Sequence, residues 1–426
     1  MPKNYLSISK NSTLLLAMLA SFVTYTSMYA FRKPITAATF EGMMVMGMSY
    51  KSLLIVTQVL GYLASKFVGI KYISELKSDY RFRLLVGLMF FSYIGLLFFA
   101  LTPSPYNIFW ILLNGFPLGF IWGIVFSYLE GRRATDVLAC FLSISFVVGS
   151  GLVKSIGVWT IKVMGISEVW MPFVVASYFF PVLILSSYVL DLIPEPEQKD
   201  KELRTERLPM NSEGRKALLK IYGIGLVPVM LLSMLLTLSR DIKDNFLVEI
   251  FNQFKLSSET SVYLKTELSI SIILLILLSL IVLIRNNARA FFMIHIFMSI
   301  GLSMVLVSTF MMDLGTNHLF GGMVFHGIGL YLAYILLQSL YFERFIAYFR
   351  IKGNVGFFIY MVDFSGYLAS CLVIIYKEFF HFNMSWSTFF INMNYISAIA
   401  GIILIFMAVL FFFTKKNNPD VEQKSI

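Results

Sequence analysis

An apolar segment long enough to cross a bilayer as a helix ends in Tyr25-Thr26-Ser27-Met28-Tyr29-Ala30-Phe31-Arg32-Lys33-Pro34. Tyr25, Tyr29 and Arg32 stand at i, i+4 and i+7, so a helix places them on one face. Burying a charge near the bilayer centre costs roughly 2.5–3.5 kcal/mol even on the lenient insertion scale. Arg32 therefore predicts a partner, a water-filled cavity or an anionic ligand beside it. The alternative is that Arg32 and Lys33 mark the helix end and reach the lipid headgroups.

Apolar segments of similar length recur through the whole chain of 426 residues, of which 58% are hydrophobic and 14% charged. A soluble protein of this length carries more charge than that, and the mean hydropathy is +0.79. No alternation with a period of two indicates a β-barrel. We therefore predict an all-α polytopic membrane protein with twelve transmembrane helices. The predicted spans are about 12–33, 49–69, 83–101, 107–129, 135–160, 170–190, 217–239, 261–284, 290–312, 318–341, 354–376 and 387–413.

Lysine and arginine set the orientation of these spans, because they concentrate in cytoplasmic loops. They cluster on the side where the chain begins, whereas loops 101–106 and 312–317 on the opposite side have none. Both termini are expected to be cytoplasmic. The formal charge of +10 follows from this loop bias and gives no reason to expect nucleic-acid binding.

The longest polar stretch, 191–216, lies between spans six and seven and reads as a cytoplasmic linker. It divides the chain into an N-terminal six-helix half at 1–190 and a C-terminal six-helix half at 217–426. Three features recur in the same order in both halves, which indicates an internal duplication. The matches are Tyr128-Leu129-Glu130 with Tyr341-Phe342-Glu343, Ser150-Gly151 and Ser155 with Ser365-Gly366 and Ser370, and Arg32 with Arg240. Two pseudo-symmetric six-helix halves are the pattern of the major facilitator fold.

Span seven closes with an arginine, Arg240, that corresponds to Arg32 in the first half. If the halves are related by a two-fold axis, both guanidinium groups face one central cavity. A guanidinium suits an anion there because its planar fork binds phosphate or carboxylate bidentately and stays charged. The alternative is that Arg240 pairs locally with Asp244 in an extracellular loop.

Other charges near the span ends allow two interpretations. Lys66, near the inner end of span two, supplies a third positive charge or reaches the interface as a solvated lysine. Lys51 opens span two, and Lys265 with Glu267 opens span eight. We interpret these three as solvated residues at the mouth of a cavity.

Lys154 in span five and Asp363 in span eleven each lie well inside an apolar run. They are candidates for an ion pair between the halves, which would gate the cavity or serve only a structural role. Asp363 is also a candidate carrier of a coupling proton. His318 and His326 are weaker candidates for a proton relay.

Smaller signals concern polar and small residues in the spans. Gln58, Asn114 and Gln338 are candidates to line a polar path, whereas Gly115, Gly119 and Gly123 have the spacing of close helix packing. Cys140 and Cys371 lie in apolar segments and are expected to pack as small apolar residues. The sequence has no GxxxxGK[ST], HExxH, CxxC or GxSxG motif. We therefore predict no enzyme activity, no cofactor and no metal site.

The tyrosine and charged positions are similar to those of the organophosphate:phosphate antiporter branch of the major facilitator superfamily. The matching positions are Tyr25, Tyr29, Arg32 and Lys33, then Ser65, Lys66 and Phe67, and finally Arg240 and Asp244. The resemblance implies that Arg32 and Arg240 bind a substrate phosphate, that Lys66 lies close by, and that transport is exchange for phosphate. The chain also resembles a bacterial group of facilitator-like proteins sharing the stretch from Tyr29 to Pro34. This second resemblance implies no activity, and it suggests that the protein lies in a bacterial inner membrane.

The leading hypothesis is a monomeric secondary transporter of a small organic anion, a phosphate ester or a carboxylate. Arg32 and Arg240 would clamp the anion, Lys66 would add charge, and Tyr25 and Tyr29 would donate hydrogen bonds. Asp244, Lys154 and Asp363 would couple or gate, as parts of an antiporter or a proton symporter. The alternatives are a transporter-like sensor that binds the anion without moving it and docks a partner at 191–216, and a lipid or muropeptide carrier.

Overall fold

The computed structural model describes residues 10–74, 78–129, 132, 135–195, 212–256, 259–284, 286–315, 319–351, 355–380 and 383–416. Almost all of this chain is helical, as the hydropathy pattern predicts. The helices are α1 (Lys10–Arg32), α2 (Tyr50–Ser74), α3 (Arg81–Leu101), α4 (Ile108–Leu129), α5 (Thr135–Lys162), α6 (Met171–Asp191), α7 (Ser212–Asn245), α8 (Leu247–Gln253), α9 (Val262–Val282), α10 (Asn287–Asp313), α11 (Leu319–Ile335), α12 (Phe342–Phe349), α13 (Val355–Phe380) and α14 (Trp386–Lys416). A π-helical segment, Leu336–Tyr341, joins α11 to α12.

Within the described residues, eleven helices are long and apolar enough to cross a membrane. α2 is a further helix of 25 residues that carries three lysines. The class predicted from the sequence, an all-α polytopic membrane protein, is confirmed. In lipid every backbone N–H and C=O must be paired within the segment, so apolar runs of this length form helices.

The main difference from the predicted spans is the end of α7. The predicted span stopped at 239, but the helix continues to Asn245. Residues 240–245 include no proline or glycine, so nothing in the chain breaks the helix there. Arg240, Lys243 and Asp244 therefore lie on a helix and not in a loop.

The described chain forms two compact units. The first takes in the described residues up to 195 with Asp241–Ser279 and Tyr367–Phe390, and the second takes in those from 212 to Arg240, Leu280–Gly366 and 391–416. The division into halves at 1–190 and 217–426 remains a prediction.

In the first unit, α1 packs against α4, α5 and α6, and α2 packs against α4. A short 3₁₀ turn, Pro34–Ala37, follows α1. A two-stranded hairpin of β1 (Met44–Val45) and β2 (Met48–Ser49) then leads into α2. In the second unit, α10 packs against α11 and α12.

Glycines let α2 and α4 approach each other to backbone contact. A Cβ added at Gly115 would lie 3.1 Å from Gln58 Cα, and one at Gly119 would lie 2.9 Å from the Tyr62 carbonyl oxygen. The close packing that the spacing of Gly115 and Gly119 predicts is confirmed. Only a residue without a side chain fits at this crossing.

Asn114 on α4 ties four helices together inside the first unit. Its side-chain amide donates to Ser92 Oγ at 2.7 Å and to the Phe31 carbonyl oxygen at 3.2 Å, and its Oδ1 accepts from Gln58 Nε2 at 2.7 Å. Asn114 is completely buried. The sequence hypothesis that Asn114 and Gln58 line a polar path is therefore replaced by a structural role in this unit.

Asn114→Leu should lower the melting temperature of the purified protein. The change leaves Gln58 Nε2 buried without its acceptor, and a stranded buried group costs about 1–3 kcal/mol. Differential scanning fluorimetry in detergent measures the effect. Asn252→Leu, the same change at an exposed residue of α8, serves as the control. Equal melting temperatures for the two variants would contradict the assigned role.

Candidate functional site

Arg32 and Lys33 are both buried at the end of α1, with 6% and 3% of their surface exposed. The alternative in which these two cations reach the lipid headgroups is therefore wrong. The first unit packs other helices around the end of α1, so the pair is held inside protein. Charges in such a place need compensation from neighbouring groups.

The Arg32 guanidinium lies against two adjacent tyrosine rings. Its Cζ is 4.5 Å from the ring centre of Tyr62 and 5.5 Å from that of Tyr367, and these two rings are 5.0 Å apart. No ion pair joins Arg32 to a carboxylate in the part of the chain that the structure describes. A cation over an aromatic face gains about 0.5–2 kcal/mol, and the five N–H donors of the guanidinium remain suited to an anion.

The other predicted ligand residues of the first unit lie close to this arginine. Tyr25 and Tyr29 are buried on α1 with their rings 5.6 Å apart in an edge contact. Lys66 is also buried, and its Nζ lies 5.1 Å from the centre of the Tyr62 ring. Tyr62 thus contacts both cations, and Arg32 and Lys66 belong to one buried cluster.

A second cluster surrounds the carboxylate of Asp244. Lys154 Nζ lies 2.5 Å from Asp244 Oδ1, and Lys33 Nζ lies 2.5 Å from Oδ2. Ser150 Oγ also donates to Oδ1, and Lys33 Nζ donates to Asn245 Oδ1 at 2.7 Å. Lys154 is completely buried. One carboxylate thus bridges two ammonium groups, and the three side chains together carry one positive charge.

This cluster corrects the pairings suggested by the sequence. Lys154 binds Asp244 and not Asp363, which lies partly exposed on α13 in the second unit. The alternative that placed Arg240 and Asp244 in an extracellular loop is also corrected, because both residues lie on α7 and the two Asp244 oxygens accept from lysines. The reason is the extension of α7, which carries Asp244 into the first unit.

Arg240 is buried in the second unit, with 7% of its surface exposed. Its Cζ lies 4.4 Å from the centre of the Tyr334 ring, and its Nη1 donates to Tyr334 Oη. Each unit therefore holds one buried arginine against the face of a tyrosine. A shared cavity for Arg32 and Arg240 remains a prediction.

Three further ion pairs are buried in the described part of the first unit, and one of them joins Lys377 Nζ to Glu378 Oε1 at 3.7 Å. Lys51 Nζ lies 2.5 Å from Glu249 Oε1 and donates to the Thr36 carbonyl oxygen at 2.9 Å. Lys243 Nζ lies 2.5 Å from Glu267 Oε1, and neither side chain is exposed.

The interpretation of Lys51 and Glu267 as solvated mouth residues is therefore wrong. Lys265, the third residue of that group, does lie in solvent, where it pairs with Glu259 and has 59% of its side chain exposed. Glu267 is two residues further along α9. Two residues correspond to about 200° around a helix, so Glu267 lies on the buried face of α9 and Lys265 on the exposed face.

The remaining sequence candidates are two histidines, a glutamine and two cysteines. His326 is buried on α11, Gln338 lies in the π-helical segment, and His318 is outside the described residues. Cys140 and Cys371 are buried free cysteines, as predicted. No group of three or more His, Cys, Asp or Glu that could hold a metal occurs among the residues described.

The sequence patterns did not identify Tyr62, Tyr367, Lys243 and Glu249 as parts of these clusters. Lys243 carried a usable signal, because it belongs to a run of charges directly after the apolar part of span seven, and Glu249 is the next charged residue after that run. Tyr62 and Tyr367 carried no such signal, since tyrosine is frequent in this chain and in membrane helices generally.

Three solved structures share the fold over nearly the whole chain. A D-xylose-proton symporter matches with a TM-score of 0.59 and 13% identity, over 94% of this chain and 97% of its own. The human organic anion transporter MFSD10 (TETRAN) matches with a TM-score of 0.56 and 12% identity, over 93% and 98%. The POT family transporter PepTSo matches with a TM-score of 0.61 and 11% identity, over 96% and 99%. The chain therefore has the major facilitator fold.

The chain also matches a known sequence family. A family model described as a family of unknown function, DUF5690, matches residues 34–416. No curated protein matches the chain.

Proposed function

From the premise that this chain belongs to the DUF5690 family and has the major facilitator fold, we propose that it is a secondary active transporter of a small organic anion. The anion is a phosphate ester or a carboxylate, and transport proceeds by alternating access. The proposal includes no enzyme activity and no cofactor. It places the chain as a monomer in a bacterial inner membrane, with both termini in the cytoplasm.

One observation carries this proposal: the buried Arg32 guanidinium contacts tyrosine rings and forms no ion pair with a described carboxylate. Desolvated cation–π contacts give about 2 kcal/mol or more each, but they supply no opposite charge to the guanidinium, and taking an ion out of water costs several kcal/mol. An anion that binds Arg32 bidentately supplies the missing compensation. Lys66 in the same cluster adds a second charge, and Tyr25 and Tyr29 are hydroxyl donors beside it.

Arg240 completes the clamp in this proposal. Its place over Tyr334 repeats in the second unit the arrangement of Arg32 over Tyr62. One of the fold's relatives, MFSD10, is itself named an organic anion transporter, which agrees with the proposed class of substrate. The resemblance to the organophosphate:phosphate antiporters favours exchange for phosphate, and proton symport through Asp363 is the competing drive.

Arg32→Gln should abolish the rise in melting temperature that anionic ligands produce. Wild-type protein is screened against glycerol phosphate, sugar phosphates, inorganic phosphate and dicarboxylates, since a ligand stabilises the state that binds it by mass action. At a ligand concentration of 100 times Kd the stabilisation is about 2.7 kcal/mol. Arg240→Gln is expected to behave like Arg32→Gln.

Arg289→Gln, at an exposed arginine on α10, is the matched control and should keep the full response. A normal response in Arg32→Gln or Arg240→Gln would refute the paired clamp. Counterflow of the identified anion in proteoliposomes then tests transport itself, and binding without counterflow identifies a sensor instead.

A further inference from the structure

The cluster around Asp244 has the form of an occupied anion site. Its donors are Lys33, Lys154 and Ser150, which all lie on the chain before residue 155, whereas the acceptor Asp244 lies near the end of α7. Ser150 and Lys154 are one turn apart on α5 and point to the same place, with Lys154 Nζ 2.5 Å from Ser150 Oγ. All three donors therefore come from a part of the chain that does not include Asp244.

The group bound by these donors is the Asp244 carboxylate, and each of its two oxygens has its own donors. Oδ1 accepts from Lys154 and Ser150, and Oδ2 accepts from Lys33. Two ammonium groups facing one carboxylate leave one positive charge in a site where Lys154 has no exposed surface and Lys33 has 3%. Such a site needs an anion at all times, because two buried ammonium groups without one repel each other.

We propose that Lys33, Lys154 and Ser150 form a binding site for the carboxylate of a ligand, and that Asp244 occupies this site in the ligand's place. This inference rests on the proposed function and deepens it, because it makes the transported anion a carboxylate. When a ligand carboxylate enters the site, the end of α7 is released from the two lysines. When the ligand leaves, Asp244 returns. The exchange couples occupancy of the site to the position of α7.

Asp244 has the properties of a replaceable occupant. It is the penultimate residue of α7, and Phe246 directly after the helix has a non-helical backbone, with φ −115° and ψ 19°. The carboxylate therefore sits beside a break in the helical backbone, where a rearrangement disturbs few backbone hydrogen bonds. The donors, in contrast, are held by α5 and by the packed end of α1.

Chemical rescue of Asp244→Ala with formate tests the proposal. The variant should melt at a lower temperature than wild type in chloride buffer. Formate or acetate should raise its melting temperature, by about 4 °C at 100 times the Kd of the probe. Wild type should respond much less to formate, because formate must displace the tethered carboxylate of Asp244.

Two controls define the site. Asp244→Ala combined with Lys154→Met should lose the formate response, and Asp313→Ala, which removes an exposed carboxylate on α10, should show none. If Asp244→Ala cannot be purified, Asp244→Asn replaces it, because the neutral amide also leaves the two ammonium groups without an anion.

The proposal is overturned if neither variant gains more from formate or acetate than from chloride at equal ionic strength. A larger gain from inorganic phosphate than from formate also overturns it, since the site would then select phosphate. Formate rescue without any Arg32-dependent response in wild type refutes the proposed transporter and leaves this site standing. The reverse pattern refutes this site alone.

Discussion

Gly115→Leu should yield no folded protein after detergent extraction. A Cβ at this position would lie 3.0 Å from the Gln58 carbonyl carbon and 3.1 Å from Gln58 Cα. Both are backbone atoms of α2, which cannot rotate away as a side-chain tip can. Inserting extra carbons into a packed core costs typically 1–3 kcal/mol, and here α2 and α4 must separate along their main contact. We expect a loss larger than about 3 kcal/mol.

The matched control is Gly87→Leu, since Gly87 also lies inside a transmembrane helix but has no heavy atom within 4 Å of its added Cβ. Fluorescence-detected size-exclusion chromatography compares the two variants. Gly87→Leu should elute as wild type does, and Gly115→Leu should appear only as aggregate. A single symmetrical peak and a wild-type melting temperature for Gly115→Leu would show that α2 and α4 do not cross in backbone contact.

Glu267→Gln should destabilise the protein by about 3–5 kcal/mol, because it leaves the Lys243 ammonium buried without its carboxylate. Lys243 Nζ lies 2.5 Å from Glu267 Oε1, and both side chains are fully buried. Glutamine keeps the shape of glutamate, which matters because Gly151 on α5 leaves room for Glu267 and nothing larger. Lys243→Met should cost a similar amount, since the carboxylate is then the uncompensated charge.

The double variant Lys243→Met with Glu267→Gln is the decisive measurement. Removing both charges of a buried pair is often neutral or even stabilising, so the double variant should recover most of the lost melting temperature. Glu259→Gln breaks the exposed pair with Lys265 and should leave the melting temperature unchanged. If the two single losses add in the double variant, Lys243 and Glu267 do not act as a pair.

Much of the fold could be predicted from local patterns. The apolar runs determined the helices and their approximate bounds, and the spacing of Gly115 and Gly119 determined where α4 can be approached closely. Arg32 stood out because a guanidinium at the end of an apolar helix is costly wherever it lies in a membrane. These inferences succeed because a helix in lipid satisfies its own backbone hydrogen bonds, so its formation depends on a few consecutive residues.

The partners of the charges could not be predicted in the same way. Lys154 and Asp244 are 90 residues apart in sequence, and Lys33 and Asn245 are 212 apart. From the sequence alone, Lys154 could equally pair with Asp363, and Arg240 with Asp244. The continuation of α7 to Asn245 placed four charged residues of a predicted loop on a helix, and it brought Asp244 to Lys33 and Lys154.

By itself, therefore, the sequence determined that this chain is a bundle of membrane-spanning helices with basic residues buried among them. Only the tertiary structure decided that Arg32 lies against Tyr62 and Tyr367, that Asp244 joins Lys33 to Lys154, and that Glu267 is buried with Lys243. The physical reason is range: the hydrophobic effect and backbone hydrogen bonding act along each segment, whereas an ion pair forms only between side chains that packing brings within about 4 Å.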